Sequence, residues 1–449
     1  TLKVLGGKPP GRIGTCQAFF ITFFRTLHSG NIFLFFGVYS GGQMANTNID
    51  DKNIYHKINI LKKEQKEKED KKRKKRRSLT MMGCILILII LSVLNMLSAS
   101  FYTIYTRGIG IFTNYLIYMF LAFFALIFTG SINYKHYNKN GFNLFLLIIT
   151  VALFSFILIG AKMFPGIVPR INGAIGWIRL FGFSLQPAEL LKLPFIILIA
   201  HILERCERDG AKNLSIVFSV MPIMVLFGFF IMFQDDLGTM IHYIAILLFM
   251  LFMSRIDTKW IVSVITAGVV GMTGICLYVH HLGDVSGKGY KMRRIGSFLN
   301  GLLNNEYDNA IGYQVGQSLL AFGSGGILGK GYANGVQKYS YLPEIRTDFI
   351  LASYGEELGF IGMFIIMIFF FLIFNLIKRT AMECKSYFGK YLAIGIGGYL
   401  ITQVLINIYV ALGMLPVFGI PMPIFSYGGT SLITIFSAFG IIRNINSEE

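Results

Sequence analysis

The stretch from 62 to 100 decides the class of this protein, and it reads KKEQKEKEDKKRKKRRSLTMMGCILILIILSVLNMLSAS. Its first part, 62–78, is dominated by lysine and arginine, and the remainder is almost wholly apolar. A helical apolar run of about 20 residues matches the ~30 Å hydrocarbon thickness of a bilayer. The stretch therefore predicts a membrane-spanning helix that begins directly after a basic segment.

The basic segment has two interpretations. A run of lysine and arginine can bind nucleic acid, but beside a membrane helix it is typically a cytoplasmic anchor attracted to anionic lipid. We favour the anchor. The partners expected for this segment are therefore membrane lipids, and no nucleic acid.

The same alternation of apolar runs and charged flanks continues along the chain. Of the 449 residues, 54% are hydrophobic and only 14% are charged, and the mean hydropathy is +0.61. This composition predicts an all-α polytopic membrane protein with one transmembrane domain. The five cysteines are scattered, with none at Cys-x-x-Cys spacing, so they indicate neither a disulfide framework nor a thiolate metal site.

The ends of the chain differ from its middle. The sequence starts with Thr1, and its early apolar stretch is broken by Arg25, His28 and Gly30, so we expect an upstream extension there. The predicted divisions are an extension at 1–43, a basic cytoplasmic tail at 44–78, the transmembrane domain at 79–445 and a C-terminal tail at 446–449.

About ten apolar runs are candidate membrane spans. They lie near 79–101, 110–130, 142–162, 187–204, 214–233, 237–254, 259–280, 358–377, 388–412 and 424–442. If the basic segment before the first span is cytoplasmic, the short lysine- and arginine-rich loops alternate consistently on that side. Both termini are then cytoplasmic.

The long connection between spans seven and eight, about 281–357, is predicted to be extracytoplasmic, yet it is rich in cations. They are Lys288, Lys291, Arg293, Arg294, Lys330, Lys338 and Arg346. Long loops partly escape the charge rule, so the cations need have no special meaning. The alternative, which the neighbouring carboxylates and glycines favour, is that they hold an anion such as a diphosphate. Within this connection, QSLLAFGS (317–324) predicts a short amphipathic or re-entrant helix.

Two pairs of charges lie within or directly beside predicted spans. Glu189 and Lys192 lie three residues apart on one helix face, followed by an uninterrupted apolar run. A charge at membrane depth costs about 2.5–3.5 kcal/mol, so the pair is expected to face the interior, either to fix helix register or to line a functional cavity. Asp235 and Asp236 occupy a short turn, where they either cap the next helix or serve the same cavity.

The stretch YLPEIRTDFILASYGEELGF (341–360) gathers five charges before another apolar run. They are Glu344, Arg346, Asp348, Glu356 and Glu357. Because exposed charges need no fixed neighbours, we expect these groups to hold the loop against the helices through buried pairs. Direct catalysis by Asp348 is a second interpretation.

Several long motifs then occur in one order. They are GAIGWIRLFGFSLQPAELLKL (173–193), FQDDLGT (233–239), GYQVGQSLLAFGSGGILGKG (312–331), VQKYSYLPEIRTDFILASYGEELGFIG (336–362) and INIYVALGMLPVFGIPMPIFSYGGTS (406–431). Together they resemble the SEDS family of cell-wall proteins, the FtsW, RodA and SpoVE group, over roughly 80–445. The resemblance implies a ten-helix enzyme of the bacterial inner membrane that polymerises lipid II into glycan strands, with a class B penicillin-binding transpeptidase as partner among the divisome or elongasome proteins.

The implied reaction suits these residue types. It joins a sugar hydroxyl to an anomeric carbon that carries a lipid diphosphate, with inversion. Because diphosphate is already a good leaving group, the site needs one base for the hydroxyl and cations for the departing charge. The paired carboxylic acids of a glycosidase are not required.

The resemblance also implies which residues act. The family's catalytic Asp precedes a Gly-Tyr-Gln, and in FLNGLLNNEYDNAIGYQ (298–314) this is Asp308, with Glu306 as its substitute and Gly301 in place of the usual proline. Glu189 and Lys192 match the family's Gln-Pro-Ser/Ala-Glu-x-x-Lys stretch. Arg293 and Arg294 are assigned to the diphosphate. The further candidates for substrate binding are Lys330, Lys338, Arg346 and Asp348.

Two alternatives remain. A lipid II flippase would need Glu189 and Lys192 but not Asp308, and a scaffold that only recruits a transpeptidase would tolerate loss of every polar cavity residue. A divalent cation, Mg²⁺ or Mn²⁺, would suit the diphosphate. No organic cofactor is expected. VQKYSYLPE (336–344) and INIYVALGMLP (406–416) favour the division type, FtsW-like, within the family.

Overall fold

In the computed structural model, the described residues are 22–25, 32–35, 51–171, 174–180, 182–282, 290–307 and 312–449. The chain divides into two units, Thr1–Asp70 and Lys71–Glu449. In the first unit, strand β1 (Thr22–Arg25) pairs antiparallel with β2 (Ile32–Phe35). The second unit carries nearly all of the helices and the candidate site.

The architecture is helical, as predicted. The helices are α1 (Asp51–Arg107), α2 (Gly110–Ser131), α3 (Asn140–Met163), α4 (Pro187–Leu190), α5 (Lys192–Arg208), α6 (Asn213–Phe233), α7 (Leu237–Phe252), α8 (Thr258–Leu282), α9 (Tyr290–Asn304), α10 (Gly312–Gly325), α11 (Ile350–Glu383), α12 (Tyr387–Ala411) and α13 (Gly429–Glu448). A 3₁₀ helix covers Tyr134–Asn138. Between α3 and α4 lie two antiparallel hairpins, which the sequence did not predict: β3 (Arg170–Ile171) with β4 (Ala174–Ile175), and β5 (Ile178–Leu180) with β6 (Phe183–Leu185).

Seven helices in the described part of the chain are long and apolar enough to cross a membrane. They are α1 over Asn59–Arg107, α2, α3, α6, α8, α11 and α12. The ten predicted spans correspond to these seven and to α5, α7 and α13. The α7 helix is apolar but has only 16 residues, and α5 has 17. The all-α membrane class is confirmed, whereas the number of ten crossings stays a prediction.

The helix α12 lies at the centre of the bundle. Its most apolar window is 72% buried, against 6% for that of α8, whose surface faces almost entirely outward. Glycines allow this close packing. A Cβ at Gly395 would lie 2.4 Å from Ile196 Cγ2, and one at Gly398 would lie 2.6 Å from Phe249 Cδ1. Larger residues at these two positions would push α5 and α7 away.

The connection from α12 to α13 is non-helical, as its prolines and glycines predict. It is nevertheless buried, and Ile424 within it has a φ of 68°. A β-branched residue rarely adopts a positive φ, so this conformation must be stabilised by its surroundings. The hydroxyl of Ser92 on α1 donates to the Ile424 carbonyl at 2.8 Å. The connection is therefore held firmly at the end of the bundle where α4, α7 and α11 begin.

The long connection from α8 to α11 contains α9 and α10, so the helix predicted within QSLLAFGS is confirmed. The next helix, α11, begins at Ile350 rather than near 358 and is kinked at Gly359, where φ is 65° and ψ is −166°. The loop after α10 supplies the hydrogen bonds that the kink removes. Phe360 N–H donates to Gly326 O at 2.9 Å, and Lys330 N–H donates to Glu356 O at 3.0 Å. Backbone groups at a broken helix are thus paired inside the protein.

Candidate active site

The predicted pair of Glu189 and Lys192 is buried and in contact. Pro187 occupies the first position of α4, where its missing N–H and fixed φ are well tolerated, and this short helix leads into α5. Glu189 is 2% exposed and Lys192 is fully buried, and the Lys192 ammonium donates to Glu189 Oε1. The prediction that both charges face the interior is confirmed.

Three other helices converge on this pair. The Lys192 Nζ lies 5.7 Å from the ring centroid of Tyr399 on α12, within the range of a cation–π contact. Thr434 Oγ1 on α13 donates to Glu189 O at 3.2 Å, and Tyr243 OH on α7 donates to Ala188 O at 2.8 Å. The pair therefore sits where α4, α5, α7, α12 and α13 meet.

Asp236 forms the N-cap of α7 and also reaches toward the pair. Its carboxylate accepts from Thr239 N at 3.0 Å and from Thr239 Oγ1 at 2.7 Å, so the capping interpretation is confirmed. It also accepts from Gln186 Nε2 at 3.1 Å, which ties the turn to the start of α4. Burial, opposed by the Thr239 hydrogen bonds, raises the pKa of Asp236 above its ordinary value. The two interpretations of this turn are thus compatible.

We call the region around the pair the polar centre, and its members come from several elements: Gln186, Glu189, Lys192, Gln234, Asp236, His242, Tyr399, Gln403 and Asn407. Some of their buried atoms have no hydrogen-bond partner among the residues described by the structure. Among these atoms are Glu189 Oε2, Gln234 Oε1 and Nε2, His242 Nδ1, Gln403 Oε1 and Asn407 Oδ1. A buried polar atom without a hydrogen bond lowers the stability of the fold, so its presence here needs a reason.

Asp348 lies at the edge of the polar centre, just before α11. Asn407 Nδ2 donates to its carbonyl at 2.9 Å, and a Cβ on Gly419 would lie 3.8 Å from its Oδ2. The pKa of this carboxyl is raised from 3.8 to about 7, first by burial and then by the charge of Glu344, while Arg294 opposes the shift. The carboxylates of Asp236 and Glu189 also raise this pKa, so the groups interact electrostatically.

Arg294 itself lines a pocket of about 310 Å³ that opens between α9, α10 and the α12–α13 connection. The other lining residues are Ser297, Phe298, Gly301, Tyr307, Gly312, Val315, Gly413, Leu415, Pro416 and Val417. Tyr307 packs closely on two glycines. A Cβ added to Gly301 would lie 2.7 Å from the ring of Tyr307, and a Cβ added to Gly316 would lie 3.1 Å from the Cβ of Tyr307. The chain that leads into 308 is therefore held at the wall of this pocket.

Of the two predicted catalytic carboxylates, the structure describes only one. Asp308 lies outside the described residues. Glu306 is exposed, and its backbone N–H donates to Asn300 O at 3.3 Å. Of the predicted diphosphate ligands on α9, Arg293 is exposed, whereas Arg294 is partly buried at the pocket. Arg294 is thus the predicted cation whose charge acts on the Asp348 carboxyl.

The remaining predicted substrate cations have protein partners. Lys330 Nζ lies 2.7 Å from Glu356 Oε1, and Lys338 Nζ, which is buried, lies 2.9 Å from Glu357 Oε1. Arg346 donates to Thr103 Oγ1 on α1. The buried pairs expected from the stretch 341–360 are therefore confirmed for its two adjacent glutamates. These contacts give the two lysines structural roles that the sequence did not indicate.

Several members of the polar centre were missed from sequence. Tyr399, Gln403 and Asn407 recur at four-residue spacing, so they share one face of α12. His242 lies within the apolar α7, and its Nε2 is 3.1 Å from Thr402 Oγ1. Isolated polar residues within apolar runs are a recognised sign of a functional interior, and that signal would have found them.

A metal site is not evident from protein ligands alone. Within the described ranges, no group of three or more histidine, cysteine, aspartate or glutamate side chains is arranged to hold a metal ion. Mg²⁺ commonly uses one or two carboxylates together with substrate phosphates, so a cation brought by a diphosphate would need fewer protein ligands.

Comparison with known proteins identifies a family for this chain. The model of the FtsW/RodA/SpoVE family, described as "Cell cycle protein", matches residues 78–449. A "Probable peptidoglycan glycosyltransferase FtsW" from Trichlorobacter lovleyi is 37% identical over 65% of this chain and 74% of its own length. One of the same name from a Geobacter species is 35% identical over 74% of this chain and 85% of its own length.

Solved structures share the fold. A structure described as "Structural coordination of polymerization and crosslinking by a peptidoglycan synthase complex" superposes with a TM-score of 0.64 at 20% identity, over 82% of this chain and 97% of that one. The rod shape determining protein RodA of Thermus thermophilus gives 0.57 at 20% identity, over 82% of this chain and 95% of its own. Because the family model covers the whole helical domain and the solved structures repeat its fold, this chain belongs to the FtsW/RodA/SpoVE family.

Proposed function

We propose that this chain is a peptidoglycan glycosyltransferase that polymerises lipid II and releases the lipid diphosphate. The names of its relatives and the motifs of the family support this function. The observation that carries it is the pocket at Arg294, whose wall includes Tyr307, the residue directly before Asp308. This arrangement supports the proposal that Asp308 acts together with Arg294.

In the proposed reaction, the Asp308 carboxylate accepts the proton of the attacking sugar hydroxyl. The hydroxyl oxygen forms a bond to the anomeric carbon of a second lipid II molecule, with inversion, and the bond to the diphosphate oxygen breaks. Arg294 stabilises the negative charge that develops on the leaving diphosphate. A divalent cation, Mg²⁺ or Mn²⁺, bound to the diphosphate would share that charge.

The polar centre would contact the polar part of the substrate. Its unpartnered atoms, among them Glu189 Oε2 and both amide atoms of Gln234, are suited to accept and donate hydrogen bonds to a sugar or peptide headgroup. Lys338 is left out of the proposed contacts because its side chain is 1% exposed and its ammonium is paired with Glu357. We place the reaction on the outer face of the bacterial inner membrane, with both termini cytoplasmic.

The proposed partner is a class B penicillin-binding transpeptidase of the division machinery, because the relatives in sequence carry the name FtsW. A solved neighbour described as a peptidoglycan synthase complex for polymerization and crosslinking is consistent with such a pairing. Crosslinking would then be the partner's reaction.

The experiment measures two activities of the purified chain with its transpeptidase and labelled lipid II. Glycan polymer is separated by gel electrophoresis, and transfer of lipid II across vesicles is followed in parallel. Asp308→Ala and Arg294→Gln should lower the polymerisation rate by roughly 10²–10⁴-fold without affecting transfer. Glu306→Gln, which removes a nearby exposed carboxylate, is the matched control and should retain polymerisation.

Other outcomes would revise the proposal in defined ways. Loss of polymer only in Glu306→Gln would assign the base to Glu306. Transfer across the vesicle without any polymer, in the unmodified protein, would favour the flippase and overturn the transferase.

A further inference from the structure

A second candidate site has both charged and apolar walls. It lies at the end of the second unit away from the candidate active site, where the apolar part of α1 begins and α13 ends. It is an open cleft of about 1440 Å³. Its walls are formed by one face of α1 and the last turns of α13: Lys71, Lys74, Lys75, Ser78, Leu79, Met82, Arg443, Asn446, Ser447, Glu448 and Glu449. By the charge distribution of the loops, this end is predicted to be cytoplasmic.

The lining changes from charged to apolar along α1. Lys71, Lys74 and Lys75 form the outer rim, and Leu79, which is 72% exposed, and Met82 follow one turn deeper. The face therefore presents cations first and apolar surface next, in the direction in which the helix enters the bilayer. This order matches a molecule with an anionic head and an apolar tail.

The cleft is preformed, because both of its walls are fixed by contacts outside it. On the α1 side, the buried Arg77 donates to Glu383 at the end of α11, and Arg73 lies 3.3 Å from the same carboxylate. These two arginines thus hold the helix while the lysines on its neighbouring face line the cleft.

The end of α13 is fixed in the same manner. Asn133 Nδ2 donates to Glu448 Oε2 at 2.7 Å, and Lys385 N–H donates to Glu449 Oε2 at 3.0 Å. Tyr134 OH also donates to Glu449. Both carboxylates of the lining are therefore engaged by neighbouring segments, and Glu449 also attracts Lys74. The lysine rim as a whole and Arg443 provide the positive charge suited to an anion.

We propose that this cleft binds the headgroup of an anionic phospholipid, with the phosphodiester at the lysine rim and one acyl chain along Leu79 and Met82. The site is distinct from the candidate active site and does not depend on the proposed reaction. A basic pocket beside a membrane helix is a known type of site for acidic headgroups, and each lysine near such a surface adds to the attraction. A preformed cleft adds positioning to this attraction, which a flexible basic tail does not.

The test uses the full chain in detergent, titrated with phosphatidylglycerol or phosphatidylcholine, with bound lipid counted by native mass spectrometry. We expect retention of phosphatidylglycerol and little retention of phosphatidylcholine. The cleft variant Lys71→Gln/Lys74→Gln/Lys75→Gln should weaken phosphatidylglycerol binding on the order of 100-fold. All three side chains are at least partly exposed, so this variant should fold.

The matched control is Lys62→Gln/Lys63→Gln/Lys66→Gln, which removes the same charge from exposed positions of the basic segment. It should weaken binding by less than about tenfold, since these lysines do not line the cleft. Equal losses in the two triple variants would overturn the proposal in favour of diffuse attraction. Arg443→Gln, on the other wall, should weaken binding, and no effect of this variant would contradict a site formed by both helices.

Two further arms identify the chemistry of the ligand. Glycerol phosphate, which has the anion without the acyl chain, should fail to displace phosphatidylglycerol at equal concentration. Displacement by it would point to a soluble phosphate ligand and overturn the assignment to a lipid. Leu79→Gln should weaken binding of the lipid while leaving the lysine rim intact.

Discussion

Two regions of this protein bury charge next to α11 and α12, and they do so in opposite ways. The first is the lysine–glutamate seam, formed by Lys330, Lys338, Glu356 and Glu357. Glu356 accepts from Lys330 Nζ at 2.7 Å and from two backbone N–H groups, of Val336 at 2.9 Å and Gln337 at 3.0 Å. Glu357 accepts from Lys338 Nζ, Ser98 Oγ and Ala333 N. All four carboxylate oxygens of the seam have partners.

The polar centre is the contrasting region. Glu189 uses one oxygen for Lys192, while its Oε2 has no partner in the described part of the chain. Neither amide atom of Gln234 has a partner among the described residues, although that side chain is fully buried. A saturated region gains stability from its hydrogen bonds, whereas an unsaturated one loses stability and retains capacity to bind. The comparison thus separates residues that maintain the fold from residues suited to a ligand.

The largest expected effect comes from breaking the seam. Lys338→Met leaves the buried Glu357 carboxylate without its cation and should lower the free energy of unfolding by about 3–5 kcal/mol. Denaturation of the purified protein in detergent measures this loss. Lys330→Met is the matched control, because the Lys330 side chain is 32% exposed and its loss should cost less. Equal losses would show that burial does not set the contribution of each pair.

A second test targets the backbone contacts beside the seam. Gly329 has a φ of 80°, and a Cβ there would lie 2.2 Å from Glu357 O, so Gly329→Ala should destabilise the protein by about 2–4 kcal/mol. Gly326, with a φ of 55° and no atom near its Cβ position, is the control and should lose only about 1–2 kcal/mol. Thermal unfolding of both variants gives the difference. If Gly326→Ala were the more harmful, the close approach at Glu357 would not be the cause.

A third test asks whether the polar centre serves binding rather than folding. Gln234→Leu replaces an unpartnered buried amide with an apolar side chain of similar size. Stability should stay within about 1 kcal/mol or increase, because no hydrogen bond is removed. The KM for lipid II should rise roughly tenfold, the equivalent of about 1.4 kcal/mol. A large loss of stability with unchanged kinetics would return Gln234 to a structural role.

A fourth test varies the pH instead of only the sequence. Because the pKa of Asp348 rises from 3.8 to about 7 on folding, the native state retains a proton that the unfolded state has lost in that interval. The stability that this proton contributes is present below 3.8 and is lost as the pH rises through about 7. Thermal unfolding of the unmodified protein should therefore show a fall over this range that Asp348→Asn lacks. Parallel profiles would mean that Asp348 has its ordinary pKa in the fold.

Part of the polar centre could be predicted from sequence. Glu189 and Lys192 were found because charges three residues apart in an apolar run must face inward. Asn407 and Gln403 were missed, although their four-residue spacing with Tyr399 marks one face of α12. The assignment of Lys330 and Lys338 to the substrate rested on charge alone. These lysines lie opposite Glu356 and Glu357 only because the loop after α10 folds back onto α11. The local sequence around each lysine does not indicate that contact.

The sequence by itself determined the helical membrane class, most helix positions and the family, because apolar length and local motifs are properties of neighbouring residues. Only the tertiary structure decided which buried charges are saturated and which are not. That distinction depends on distances between side chains that are far apart along the chain, such as Ser98 with Glu357 or Asn407 with Asp348. Hydrogen bonding acts over about 3 Å, and only the packing of the helices brings such groups within that reach.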